Sequence, residues 1–239
     1  MLPIPDSPST AAIAVEAATR YHELDLMFHS FVETITATID ARDRQTAGHS
    51  RRVSIYAAAI ARELVLSEEE VEVMRLAGLL HDVGKIGVPE AVLTKPGPLT
   101  VEERRQVQLH AAISGDVLNR MHLFGLNQAL PKMAAEHHER PDGKGYPLGL
   151  TEEEISLGGR ILGVADCFDA LTNHRYYRNA MTYEEAYAYM LPLRDSQFAP
   201  EPLEALGRAM NSTEFAALIE IGKPIATLSS DQSASGTLT

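Results

Sequence analysis

Apolar positions in the first part of the chain fall at helical intervals. Between Ala11 and Arg42, residues Ile13, Ala17, Leu24, Phe28, Phe31, Ile35 and Ile39 recur at three- and four-residue steps or their sum, which predicts one long helix over 11–42. Further along, Ser or Thr is followed three residues later by Glu at Ser67/Glu70, Thr100/Glu103, Thr151/Glu154 and Thr182/Glu185. In such a pair the hydroxyl accepts from the third amide of the helix while the carboxylate reaches back to the cap amide, so each predicts a helix start. Sustained alternation with period two is absent. The pattern predicts an all-α chain of eight or nine helices, a bundle without significant sheet.

Two stretches interrupt the helical text: GKIGVPEAVLTKPGPL at 84–99 and RPDGKGYPLGL at 140–150. Glycine opens backbone angles closed to other residues and proline removes a donor, so both are expected to be loops. The proline-rich start reads as a flexible leader over 1–10, ahead of the helix at 11–42 and a helical domain over 43–210. Residues 211–239 read as a short helix followed by a small, polar, disordered tail.

Composition narrows the function. Lysine and arginine number 21 against 33 acidic residues, for a net charge of −12. That disfavours a nucleic-acid binder or a membrane-surface binder, which would carry a basic face. An anionic substrate then requires metal ions or a local cluster of cations. The single cysteine, Cys167, excludes an internal disulfide and fits a reducing compartment. With no membrane-length apolar run and no signal-peptide pattern, a cytoplasmic location is expected.

The candidate chemistry lies in the histidines. Of nine, His49, His81, His110, His137 and His138 fall beside expected helix ends or loop signals, and Asp82 follows His81 directly. LLHDVGKIG is apolar up to His81 and breaks at Gly84, which places His81 and Asp82 in a last helical turn with their backs to the core. Neighbouring helical residues point about 100° apart, so such a pair can grip one ion, or a close pair, from two sides. Asp166 is a carboxylate in an otherwise apolar helix, a costly placement unless it is paired or metal-bound. Any one of these residues says little alone; their conjunction is what points to a metal. Imidazole with carboxylate, and no thiolate, suits iron, manganese or another first-row divalent ion better than structural zinc.

Six segments, TAGHS, LLHDVGKIGVP, KPGPLT, HHERPDGKGYP, RILGVADCFDALT and RYYRNAMT, resemble the successive motifs of the HD-GYP family, in order and at fitting spacing over roughly residues 40–205. This family is a branch of the HD metal-dependent phosphohydrolases and hydrolyses the bacterial messenger cyclic di-GMP. The resemblance implies an all-helical HD-domain bundle with two divalent ions, iron or manganese. His49, His81, Asp82, His110, His137, His138 and Asp166 would be the ligands. Asp82 would bridge, with His49, His81 and Asp166 completing one position and the other three histidines the second. Asp82 and Lys85 would be catalytic, Lys85 holding a phosphate oxygen or aiding the leaving group. Gly145 and Tyr146 of the Gly-Tyr-Pro loop, with Arg175 and Arg178 of an R-x-x-R, would bind the nucleotide.

Nearby residues have less definite readings. Glu139 either orients a histidine or caps its helix, and Asp169 either supports Arg175 or faces solvent. Members of the family with a third metal carry glutamate four residues before the first histidine. Gln45 stands there in this chain, which implies two ions and slow cleavage beyond the linear dinucleotide. The expected activity is therefore hydrolysis of cyclic di-GMP. The alternatives are another cyclic dinucleotide, such as a mixed guanine–adenine one, or a non-catalytic module. Such a module would dock a diguanylate cyclase domain or an adaptor through the Gly-Tyr-Pro loop. The helix over 11–42 could also pair two chains as a homodimer.

Overall fold

A computed structural model describes residues 10–43, 48–173, 179–212 and 215. Gln45, Arg175 and Arg178 lie outside these residues, as do the leader before Thr10 and the tail. Among the described residues nine α-helices follow one another: α1 (Thr10–Arg42), α2 (His49–Glu63), α3 (Glu68–Leu80), the single turn α4 (Glu90–Leu93), α5 (Val101–Leu118), α6 (Leu130–Glu136), α7 (Leu157–Thr172), α8 (Tyr183–Met190) and α9 (Pro200–Ala209). Extended pairing among them is limited to two isolated bridges. The described residues form an all-helical bundle.

Ser67, Thr100 and Thr182 each form the full reciprocal cap and start α3, α5 and α8. Thr151 does not start a helix, which corrects the expectation. Glu154 bonds its amide and hydroxyl, but the segment remains a turn and α7 begins six residues later behind Ser156. The cause is tertiary. The buried Glu136 carboxylate accepts from the Ser156 amide at 2.9 Å and from its hydroxyl, fixing Ser156 in extended geometry so that the helix starts there.

Helix α7 runs through the core, burying Ile161, Leu162, Val164, Ala165 and Phe168 against α2, α6 and α9. Helix α2 presents Val53, Tyr56, Ala57, Ile60 and Ala61 inward at the spacing of one helical face. The Tyr56 and Phe168 rings meet edge to face with centroids 5.1 Å apart. Truncating a buried phenylalanine such as Phe168 to alanine costs about 3–5 kcal/mol. The second half of α1 packs on α3 through Val32 and Ile39, and the Thr36 hydroxyl donates to the Leu79 carbonyl at 3.1 Å. Side chains described between Ala11 and Met27 are all exposed.

After α3 the chain tightens into a 3₁₀ turn at Val83–Gly87 that lies against α5. Gly84 is required there: its amide donates to Ser114 Oγ at 2.8 Å, and a Cβ would collide with the His110 carbonyl. That close approach brings His81 and Asp82 beside His110. Among the described residues no helix is long and apolar enough to cross a membrane.

Candidate metal centre

Five helices deliver the seven candidate ligands to one place. His49 opens α2; His81 caps the end of α3 and Asp82 follows it; His137 caps the end of α6 and His138 follows. His110 and Asp166 do not sit beside a helix end. Both are interior to α5 and α7, where a side-by-side helix can present a face without breaking.

Hydrogen bonds on the far side of the rings fix their tautomers. His81 Nδ1 donates to the Gly78 carbonyl at 2.8 Å, His110 Nδ1 to Val107 at 2.5 Å, and His137 Nδ1 to Ala134 at 2.6 Å. His49 Nδ1 donates to Asp169 Oδ2 at 2.7 Å. A carbonyl or carboxylate can only accept, so Nδ1 carries the proton in each ring and the Nε2 lone pair points inward.

These lone pairs converge on Asp82. Its Oδ2 lies 3.5 Å from His49 Nε2 and 3.4 Å from His81 Nε2. Its Oδ1 lies 3.3 Å from His110 Nε2 and 4.0 Å from His137 Nε2. Asp166 lies 3.2 Å from His49 Nε2 through one oxygen and 3.9 Å from His138 Nδ1 through the other. Among the described residues three sets therefore have donor atoms within 4.8 Å of one another: His49, His81 and Asp166; His110, His137 and His138; and His81, Asp82 and His137.

The residues fit a cation. His81 Nε2 is buried and lacks a hydrogen-bond partner among the described residues, and leaving such an atom unsatisfied costs about 1–3 kcal/mol. His110 and His137 direct Nε2 at Nε2 across 3.3 Å. With both tautomers fixed, that is one lone pair facing another, an arrangement that a positive charge relieves.

Electrostatics agree. Burial, reinforced by neighbouring imidazoles, pushes His137 well below its ordinary pKa and takes His138 down to about 4, with Asp166 opposing the fall at His138. Burial also lowers His110. These three rings are thus neutral donors. Burial would raise the Asp82 carboxyl, but the Lys85 ammonium and the His81 and His49 rings hold it well below the usual carboxylate range. Burial likewise would raise Asp166, and His49 and His138 hold it down. Burial would lower His49, yet Asp166, Asp169 and Asp82 raise it well above its ordinary value. Carboxylates that draw a proton to this ring would draw a metal cation equally.

Lys85 sits with its ammonium 2.8 Å from Asp82 and 2.9 Å from Asp43. Burial opposes its charge, and the two carboxylates overcome that and raise its pKa. Asp43 was not anticipated. Asp169 does not face solvent, being 2% exposed; Arg175, the other partner expected for it, lies outside the described residues. Asp169 accepts from His49, from Arg52 Nε at 2.7 Å and Nη2 at 3.1 Å, and from Asn173 at 2.8 Å. The i,i+3 spacings of His49/Arg52 and Asp166/Asp169 were the available signal, since each places two residues on one helix face. Asp166, expected to be buried, keeps 18% side-chain exposure at the wall of a cleft.

Glu139 has a third role, neither ring orientation nor a helix cap. Its carboxylate accepts from the Leu148, Gly149 and Leu150 amides at 2.6, 3.2 and 2.9 Å, tying down the Gly-Tyr-Pro loop. Gly145 packs directly on the Glu139 and Arg140 backbone, where a Cβ would stand 2.5 Å from main-chain atoms. The Tyr146 ring lies over His138, centroids 4.6 Å apart and planes 31° apart. Beyond these residues opens a cleft of about 1220 Å³, whose lining includes Lys85, Lys95, Arg104 and Lys144. The same lining carries the carboxylates of Asp43, Asp82, Glu139 and Asp166, and Lys85 and Lys95 are paired with acidic residues.

The model of the family described as "HD domain" matches residues 33–201. A 3′3′-cGAMP-specific phosphodiesterase of Vibrio cholerae serotype O1 is 43% identical over 187 residues, covering 78% of this chain and 40% of the relative. A cyclic di-GMP phosphodiesterase of Thermotoga maritima is 39% identical over 192 residues, covering 80% of this chain and 51% of the relative. The chain thus spans about half, or less, of the length of these relatives. The HD domain of the Listeria monocytogenes phosphodiesterase PgpH aligns with a TM-score of 0.54 at 15% identity, over 79% of this chain and 99% of that one, a likeness of fold.

Proposed function

Because the chain belongs to the HD-domain family, in its HD-GYP branch, we propose that it is a metal-dependent phosphodiesterase of cyclic dinucleotides, opening cyclic di-GMP to the linear dinucleotide. The observation that carries this reading is the division of Asp82. Its two oxygens face different sets of imidazoles at the floor of a cleft wide enough for a dinucleotide.

His49, His81 and Asp166 would hold one divalent ion with Asp82 Oδ2, and His110, His137 and His138 a second with Asp82 Oδ1. Iron or manganese suits this donor set. Bound there, the ions supply Lewis acidity toward a phosphodiester and a nucleophile from water near neutral pH. Hydrolysis joins a water oxygen to phosphorus, breaks one bond from phosphorus to ribose oxygen, and places a proton on the departing oxygen. Lys85, charged and lining the cleft, is positioned to hold a phosphate oxygen or to donate toward the leaving group once substrate competes for its carboxylate partners. Tyr146 offers a ring face to a base. Arg175 and Arg178 take the second phosphate or guanine on the strength of their spacing and of guanidinium geometry. Gln45 offers no carboxylate for a third ion, so the linear dinucleotide accumulates.

A second substrate, 3′3′-cGAMP, is favoured by the name of the Vibrio relative. The test is anaerobic purification with elemental analysis, then chromatographic assay on cyclic di-GMP, 3′3′-cGAMP and cyclic di-AMP, with Asp82→Ala as control. Turnover that depends on Asp82 and on metal supports the proposal, and the ranking of substrates selects between its two forms. A fully loaded protein that turns over none of them refutes it, and leaves the docking module as the reading.

A further inference from the structure

The first half of α1 carries an apolar seam that the described residues of the body do not cover. Ala14, Ala17, Tyr21, Leu24, Phe28, Phe31 and Ile35 follow one another at alternating steps of three and four residues, the a and d positions of a seven-residue repeat. Tyr21 is 75% exposed, Leu24 59% and Phe31 54%. Only Phe28 and Ile35 of this series reach the core, and only partly. We propose that α1 pairs with α1 of a second copy of this chain as a parallel two-stranded coiled coil over residues 14–31.

Three features select that occupant. The repeat keeps these apolar residues on one face over about two and a half heptads, the face a partner helix would cover. The flanking charges are complementary. With Tyr21 at a, Arg20 is a g position and Asp25 the e position of the next heptad. In a parallel pair those two positions face each other across the seam, so Arg20 of each copy meets Asp25 of the other, twice by symmetry. An antiparallel pair sets g against g and e against e, and offers Arg20 no acidic e partner. Within one chain Arg20 bonds the exposed Glu16 at 2.7 Å and Asp25 approaches His29 at 3.5 Å. Both are surface contacts that exchange at little cost.

The third feature is clearance. Val32 and Ile39, both e positions, are 1% and 4% exposed because the body of the protein lies against that side of α1. The e faces of a parallel pair lie on opposite sides of the seam, so the two bodies do not collide. Tyr21, Leu24 and Phe31 supply the exposed apolar area that association would remove from water.

The test uses the full chain. Sedimentation equilibrium is expected to give a dimer, and Leu24→Glu with Phe31→Glu to weaken it by at least about tenfold, with circular dichroism checking that the fold persists. Arg20→Glu should also weaken it, and adding Asp25→Arg should restore it, a pair of variants that leaves the apolar seam untouched. Ala17→Cys and Phe31→Cys should each cross-link to themselves on oxidation. Three results overturn the proposal. One is a wild type that stays monomeric to about 100 µM. Another is a dimer indifferent to the glutamate pair and the charge swap. The third is cross-linking only when the Ala17→Cys and Phe31→Cys proteins are mixed, as an antiparallel pair would give.

Discussion

Replacing Asp169 by asparagine tests whether a residue outside the ligand set controls the centre. The side chain keeps its size but loses its charge. Oδ2 of Asp169 accepts from His49 Nδ1 at 2.7 Å and Arg52 Nη2 at 3.1 Å, while Oδ1 accepts from Arg52 Nε at 2.7 Å and Asn173 at 2.8 Å. An amide presents donors on one side, so either the guanidinium or the imidazole meets an N–H where it had an acceptor. If the amide nitrogen faces His49, the ring proton moves to Nε2 and blocks the lone pair aimed at Asp82 and Asp166. If it faces Arg52, the cation loses its counter-charge beside the metal position. Outer partners of this kind are worth about 10- to 100-fold in metal affinity, or ~1.4–2.7 kcal/mol. Stability should fall less than the roughly 3–5 kcal/mol typical of a broken buried ion pair, because Arg52 keeps 15% side-chain exposure and can be hydrated. The assay is titration of metal-free protein with Mn²⁺ against a chromogenic chelator, beside a thermal melt of the same sample. One of two binding events should weaken while the other persists, since His110, His137 and His138 do not touch Asp169. Folded Asp169→Asn whose two affinities both stay within about twofold of wild type would refute the reasoning.

Four other outcomes can be measured on the same protein. Lys85→Ala should retain metal yet lose about 10²-fold in kcat, as for a preorganised transition-state charge; an unchanged kcat with a raised KM would make Lys85 a binding residue only. Glu139→Gln can satisfy at most two of three loop amides well, so KM should rise with metal content unchanged, and a buried unsatisfied amide at about 1–3 kcal/mol should lower Tm. The Glu72 carboxylate, then the Asp25 carbonyl, raise His29 above its ordinary value. The contribution of His29 to docking α1 is therefore present below about pH 6.5 and lost as pH rises through the folded pKa, so His29→Gln should lower stability by under ~1 kcal/mol at about pH 6, seen as a small drop in Tm, and not at about pH 9. In a product time course the linear dinucleotide should accumulate, and Gln45→Glu should raise the metal count and speed its further cleavage; direct release of mononucleotide by the wild type would count against the role given to Gln45.

Local chemistry was legible in the amino-acid order. Ser67, Thr100 and Thr182 start helices because their reciprocal bonds close within four residues, and no distant group has a say. Thr151 has the same pattern and fails, because Glu136 reaches across from α6 to capture Ser156. The seven candidate ligands could be named from motifs, since each motif is short and its residue types already state their chemistry. Their partners could not be named. The carboxylate that orients His49 stands 120 residues away in sequence, one of the two that hold Lys85 stands 42 away, and Glu139 grips amides that carry no side-chain signature. Hydrogen bonding and ion pairing depend on distance in space. Residue type and spacing determined which groups could bind a metal, and only the packing of α2, α3, α5, α6 and α7 decided which lone pairs face inward and which carboxylates hold them there.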